Sequence, residues 1–177
     1  MAYGGFGKIK QVAYLTENLD ASIKHWIEYV GVGPWTVYRN VAMSGHYKGQ
    51  ATLVKFNVGL SYRDDLQIEL IEMISKTPSP YQDAAGRTLV GMHHMAWFSN
   101  DLAADVKEAE TRGLTCVFQA SNGASTVAYC ASKDEPGILF EFIALTPPVA
   151  DGFTSGMAAS KGWDGKAASV TVIDFEG

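Results

Sequence analysis

The sequence predicts an α+β protein made of two βαβββ modules. Two observations carry this: a segment that repeats once, and three strand-like runs after each copy. A third concerns function. Four polar side chains stand at matched places in the copies, where strands should carry apolar ones.

The repeat emerges when Lys10–Trp26 (KQVAYLTENLDASIKHW) is laid over His93–Ala109 (HHMAWFSNDLAADVKEA). Gln11 then falls on His94, Ala13 on Ala96, Asn18 on Asp101 and Leu19 on Leu102. Each copy reads as a strand, an Asx cap and an amphipathic helix. The first helix is expected over Leu19 to Val30, with Leu19, Ile23, Trp26, Ile27 and Val30 spaced three and four apart. Asn18 caps its first turn and Gly31 ends it. The second is expected over Leu102 to Arg112, with Leu102, Val106 and Ala109 as its stripe, Asp101 as cap and Gly113 as stop.

The strand-like runs are Trp35 to Asn40, Thr52 to Tyr62 and Leu66 to Met73, then Leu114 to Gln119, Thr126 to Ala131 and Ile138 to Leu145. β-Branched and aromatic residues dominate them, and Gly, Asn, Asp and Pro punctuate them. The expected organisation is a first module over 8–75, a connector over 76–89 with Pro78 and Pro80, a second module over 90–145, and a C-terminal extension over 146–177. The extension is Gly/Ala-rich, with one late strand expected at Ser169 to Phe175.

Composition narrows the function classes. Of 177 residues 47% are hydrophobic and 19% charged, which suits a packed core. The net charge of −5 and the scattered basic residues argue against nucleic acid as a partner. No run reaches transmembrane length, and the Gly-rich start (Met1 to Gly7) lacks a signal peptide's apolar stretch. The default expectation is a soluble cytoplasmic protein with no membrane partner. Cys116 and Cys130 lie in apolar runs and read as reduced core thiols.

Alternation along the strands separates two faces. Ile9, Gln11, Ala13 and Leu15 share one face, as Met92, His94, Ala96 and Phe98 do in the repeat. Val12, Tyr14, Met95 and Trp97 turn toward the helices. On the closing strands, Ile68 and Leu70 flank Glu69, and Phe140 and Phe142 flank Glu141, so both glutamates point away from the helices. A buried carboxylate is costly unless paired or metal-bound. One such Glu suits an edge strand or a salt bridge. Two at matched positions, beside Gln11 and His94, point to a divalent-metal site of three oxygens and one imidazole nitrogen. The competing reading is a structural hydrogen-bond network. His93 is expected to face the other way, and a register slip of one residue would exchange it with His94.

The paired modules, the QVAYLTENLDASIKHW and HHMAWFSNDL openings, and the LQIELIEM and GILFEFIAL closing strands resemble the vicinal-oxygen-chelate superfamily over roughly residues 8 to 145. That superfamily includes glyoxalase I, methylmalonyl-CoA epimerase, extradiol dioxygenases and bleomycin-resistance proteins. The resemblance implies a cupped mixed β-sheet with helices on its outer face. It also implies one divalent ion (Zn, Ni, Co, Mn or Fe(II)) held by Gln11, Glu69, His94 and Glu141. This ligand set is similar to that of glyoxalase I. Methylmalonyl-CoA epimerase has His, Gln, His and Glu there, so Gln11 and Glu69 depart from it. A single histidine among the ligands counts against ring cleavage. Leu15 and Met73 stand where glyoxalase I holds glutathione with Arg and Asn.

The activity implied is a metal-dependent isomerase, epimerase or lyase acting through a metal-stabilised enolate, with Glu141 or Glu69 as base. The walls implied for the substrate are Trp35, Tyr38, Tyr47, Tyr62, Phe98 and Phe118, which suit a bulky, largely apolar carbonyl compound. His46, in the SGHYKG stretch, is either an acid/base on a lid or an exposed loop histidine. Lys48 and Arg63 either meet an acidic substrate group or are solvated charges. A homodimer is also implied. The alternative is a metal-free protein that sequesters a small molecule in the same cup.

Overall fold

The computed structural model describes residues 5–166 and 169–176. Most of the Gly-rich start, residues 1–4, lies outside them. The chain runs β1 (Gln11–Leu15), α1 (Leu19–His25), a π-helical turn (Trp26–Val30), β2 (Trp35–Tyr47), β3 (Gln50–Arg63) and β4 (Leu66–Met73). It continues through β5 (Gly91–Ser99), α2 (Leu102–Thr111), β6 (Thr115–Ser121), β7 (Thr126–Ala131), β8 (Leu139–Ala144), α3 (Pro147–Lys161) and β9 (Val170–Asp174). This is an α+β fold with βαβββ traced twice. Among the described residues no helix is long and apolar enough to cross a membrane.

Local chemistry sets the helix ends. Asn18 Oδ1 accepts from Ala21 N at 2.9 Å, and Asp101 Oδ1 from Ala104 N at 3.0 Å. The first helix widens into a π turn before left-handed Gly31, whose N–H bonds Trp26 O. That turn brings Trp26 against Tyr14 and Trp35, with ring centroids 5.5 and 6.3 Å away.

The strands form one curved mixed sheet. Their order is β3-β4-β1-β5-β8-β7-β6-β2, and β2 pairs back onto β3, so eight strands close a ring. β2 joins the modules because it is long enough: Ser44–Tyr47 at its far end pairs with Phe118–Ser121 of β6. The approach requires Gly45, where a Cβ would stand 1.9 Å from Gln119 O. β9 runs parallel to Trp35–Arg39 on the same edge of β2.

Three apolar clusters follow from this closure. The largest fills the ring, with Leu15, Val54, Phe56, Ile71, Tyr81, Ala96, Phe118, Tyr129 and Ile143 among its members. The second lies under α1, where Leu19 and Ile23 meet Trp35, Val37, Ile68 and Leu70, with Val12 and Tyr14 beside them. The third lies under α2, where Ala109 meets Cys130 and Phe142. The faces read from alternation therefore hold for β1, β4 and β8.

The sequence did not anticipate α3. Thr146 caps it, with Pro147 and Pro148 opening its first turn. One of its glycines serves packing. A Cβ on Gly156 would lie 2.0 Å from the Tyr62 ring, so glycine lets the helix lie against the barrel. Val149 packs on the ring's interior cluster, and Phe153 sits 5.0 Å from both Tyr62 and Phe98. α3 thus roofs one end of the ring, and burial of a phenylalanine there contributes about 1.5–3 kcal/mol.

Candidate functional site

The register explains why the four polar side chains meet. β1 sets Ala13 opposite Glu69 on β4, and β5 sets Ala96 opposite Glu141 on β8. Gln11 and His94 each lie two residues before that alanine, so both point inward beside a glutamate. Both alanines are fully buried, and their small side chains leave room for the carboxylates. β1 and β5 are themselves antiparallel neighbours, which brings the two halves together.

Three oxygens converge on His94 Nε2: Glu141 Oε2 at 2.9 Å, Gln11 Oε1 at 3.1 Å and Glu69 Oε2 at 3.2 Å. One ring N–H cannot serve all three. Gln11 meets hydrogen-bond geometry, whereas Glu141 Oε2 is buried and left without a hydrogen bond. Gln11 is oriented in turn: its Nε2 donates to Gln67 Oε1 at 2.7 Å, and Gln67 Nε2 donates to the Tyr62 hydroxyl. The Gln11 carbonyl is thereby turned toward His94.

His93 departs from expectation. The β1–β5 register jumps from Ala13↔His94 to Tyr14↔Met92, so His93 is the extra residue of a β-bulge. The bulge turns it inward, where it stacks on Tyr81 at 5.0 Å. Its Nε2 lies 3.0 Å from Pro80 O, and its Nδ1 lies 2.9 Å from His94 Nδ1. A carbonyl only accepts, so His93 carries its proton on Nε2. His93 Nδ1 must then accept, and His94 Nδ1 must donate. The remaining His94 nitrogen, Nε2, faces the three oxygens with either a second proton or a free lone pair.

Burial opposes charge on His94, but the charges and contacts of Glu141 and then Glu69 outweigh it and raise its pKa to about 9. His93 goes the other way. Burial, and then the neighbouring His94 charge, lower its pKa to about 3 and keep it neutral. Burial also raises the Glu141 carboxyl, against the pull of His94. Burial holds the Tyr62 phenol up at about 12, so it stays a proton donor. Tyr129, opposite Glu141 in register, lays its ring 4.9 Å from that of His94 and shares a 2.9 Å hydrogen bond with Tyr81.

The donor chemistry fits a divalent ion: one imidazole nitrogen with its tautomer set from behind, two carboxylates and an amide oxygen. Ligands about 2.0–2.2 Å from such an ion stand roughly 2.8–3.6 Å from one another, and the three oxygens lie 2.9–3.2 Å from His94 Nε2. Among the described residues no group of three or more His, Cys, Asp or Glu side chains is placed so that it could hold a metal ion. Here the imidazole lies among the oxygens in their place, as an imidazolium would.

The expected wall residues divide. Tyr62 and Phe98 meet α3 above the four polar groups. Tyr38 and Tyr47 pack, half-buried, on the ring's interior cluster. Phe118 is a core residue. Trp35 does not line the ring: it is buried under α1, with Nε1 donating to Val32 O, because alternation along β2 turns it to the helix face. His46 is on no lid. It is an exposed strand residue paired with Ala51 and Gln119, on the face opposite Tyr47. Lys48 Nζ lies 5.1 Å over the Tyr47 ring, and Arg63 donates to the carbonyls of Val30 and Gly31. A cleft of about 330 Å³ beside α3 includes Tyr62, Arg63 and Lys161 in its lining but none of the four polar groups.

Sequence reasoning missed Gln67, Tyr81 and Tyr129. Only Gln67 left a signal, since it lies two residues before Glu69 and shares its inward face.

A ring of two βαβββ modules with polar groups from the first and last strand of each defines a recognisable class. The profile of the Glyoxalase/Bleomycin resistance protein/Dioxygenase superfamily matches residues 10–130, and the chain belongs to that superfamily. Among solved structures, methylmalonyl-CoA epimerase from Mycobacterium tuberculosis is similar at 19% identity and a TM-score of 0.52, over 81% of this chain and 91% of that one. A hypothetical protein from Bacillus halodurans C-125 is similar at 16% identity and 0.52, over 78% and 94%. A methylmalonyl-CoA epimerase in complex with methylmalonyl-CoA and NH4+ is similar at 17% identity and 0.52, over 79% and 95%. These likenesses are of fold. No curated protein matches the chain.

Proposed function

We propose that the protein is a divalent-metal-dependent isomerase, epimerase or lyase acting on a bulky, largely apolar carbonyl compound, with modules 8–75 and 90–145 forming one site. The observation that carries this reading is the relay from Pro80 O through His93 to His94, which presents Nε2 to three oxygens. Gln11, Glu69, His94 and Glu141 would hold the ion. When bound, it supplies Lewis-acid polarisation of a carbonyl, which acidifies the adjacent C–H.

The chain's own residues then divide the work. Glu141, with 4% of its side chain exposed, anchors; Glu69, with 14%, is the more accessible carboxylate and takes the α-proton. Returning that proton to the other face or to another carbon gives epimer or isomer. Tyr62 donates its hydroxyl proton to a substrate oxygen while Gln67 holds it in place. Phe98 and Phe153 exclude water from the reacting carbon.

A second reading is a metal-free small-molecule binder. The ion pairing of His94 with Glu69 and Glu141 favours it, because it satisfies the histidine without an ion. Elemental analysis of untagged protein discriminates the two, followed by Co(II) titration and incubation with methylmalonyl-CoA and other α-acidic thioesters and ketones in D2O. The proposal expects about one ion per chain and metal-dependent deuterium uptake at the α-carbon. No bound metal after soaking with Zn, Mn, Ni, Co and Fe(II) moves the assignment to the binder.

A further inference from the structure

On the α2 side of the second module two thiols face each other. Cys116 on β6 and Cys130 on β7 are direct partners in the antiparallel register. Opposed residues of such a pair hold their Cα atoms about 4.5–5.5 Å apart, within the roughly 4.4–6.8 Å that a disulfide spans. Gln119 Nε2 donates to the Cys116 sulfur at 3.3 Å, and that sulfur lies 3.9 Å from Phe118 O. Cys116 is half-buried, whereas Cys130 is fully buried behind it among Ala109 and Phe142. One sulfur is therefore reachable and accepts from Gln119, and the other is sheltered directly across the strand pair.

We propose that Cys116 and Cys130 form a redox modification site that a hydroperoxide converts to a cross-strand disulfide. The Cys116 thiolate attacks the peroxide, the O–O bond breaks, and the leaving oxygen takes a proton. Cys116 is then a sulfenic acid. The Cys130 sulfur attacks it, the S–O bond breaks, the S–S bond forms, and the departing hydroxide takes the Cys130 proton. Two thiols lose two electrons and two protons; the hydroperoxide is reduced to an alcohol, or water from hydrogen peroxide, plus one water. The neighbouring Cys130 thiol favours the thiolate, lowering the Cys116 pKa to about 6 and raising that of Cys130. The disulfide would tie β6 to β7 next to Tyr129, the residue whose ring packs on His94. This site does not depend on the metal reading.

The test uses full-length reduced protein treated with hydrogen peroxide, digested with trypsin without reductant and mapped by mass. The proposal expects the Cys116 and Cys130 peptides linked within one chain, lighter by two hydrogens than their sum and separated again by dithiothreitol. Cys130→Ser should stop at a sulfenic acid on Cys116 that dimedone traps. Cys116→Ser should slow loss of the remaining thiol by at least about tenfold. Two free thiols after treatment, links only between chains, or unchanged Cys130 oxidation in Cys116→Ser each overturn it. If a variant fails to fold, the wild-type map decides alone.

Discussion

Ala13 and Ala96 hold equivalent places opposite Glu69 and Glu141, yet the two glutamates live in different surroundings. In the first module the carboxylate keeps some exposure, and its neighbours are a second glutamine and a tyrosine hydroxyl under α3. In the second, the carboxylate and its histidine are sealed beneath Tyr129, Tyr81 and His93. One strand pattern thus supports two kinds of site wall. The sealed half suits fixed ligation, and the half-open one suits exchange of protons with a substrate.

The largest expected effect comes from breaking the sealed half. His94→Ala removes the nitrogen donor and leaves Glu141 buried without its cation. Metal content should fall to background, and the metal-free protein should lose about 3–5 kcal/mol in a denaturant titration. Next is pH. Metal ligation by His94 Nε2 would require loss of the proton that the imidazole holds until about pH 9. Co(II) affinity should therefore rise about tenfold per pH unit below that value and level off above it. Isothermal titration at several pH values reads this slope.

Smaller effects compare the supports of the two halves. Gln67→Leu frees the Gln11 amide in the first module, and His93→Phe removes the acceptor for His94 Nδ1 in the second. Each should weaken Co(II) binding by about 10–100-fold while the ligands stay in place. Gln67→Leu should also depress turnover through Tyr62. The smallest effects are at the matched caps: Asn18→Ala and Asp101→Ala should each cost about 1 kcal/mol on thermal unfolding, with metal binding unchanged.

What the sequence made legible was whatever repeats or alternates. Both caps, the inward glutamates and the helix-facing Phe142 and Leu70 follow from period and register. The bulge at His93 broke that logic, because one extra residue reverses a side chain and no local pattern marks it. Trp35 was drawn to the ring by its size, while alternation already placed it with Val37 on the helix face. His46 lay in a Gly-containing stretch that resembles a loop, but Gly45 is there for close strand contact. α3 went unseen because Gly152 and Gly156 weaken helix propensity, and the reason for Gly156 is a long-range contact with Tyr62. Thr146-Pro147-Pro148, followed by Val149 and Phe153 four apart, was the signal available.

The most direct test of the divided site is metal content and turnover measured side by side for Glu141→Gln and Glu69→Gln. Glu141→Gln should lose the ion, while Glu69→Gln should retain most of it and lose α-proton exchange. Loss of metal in Glu69→Gln with full retention in Glu141→Gln would contradict this division, as would wild-type protein that binds no metal.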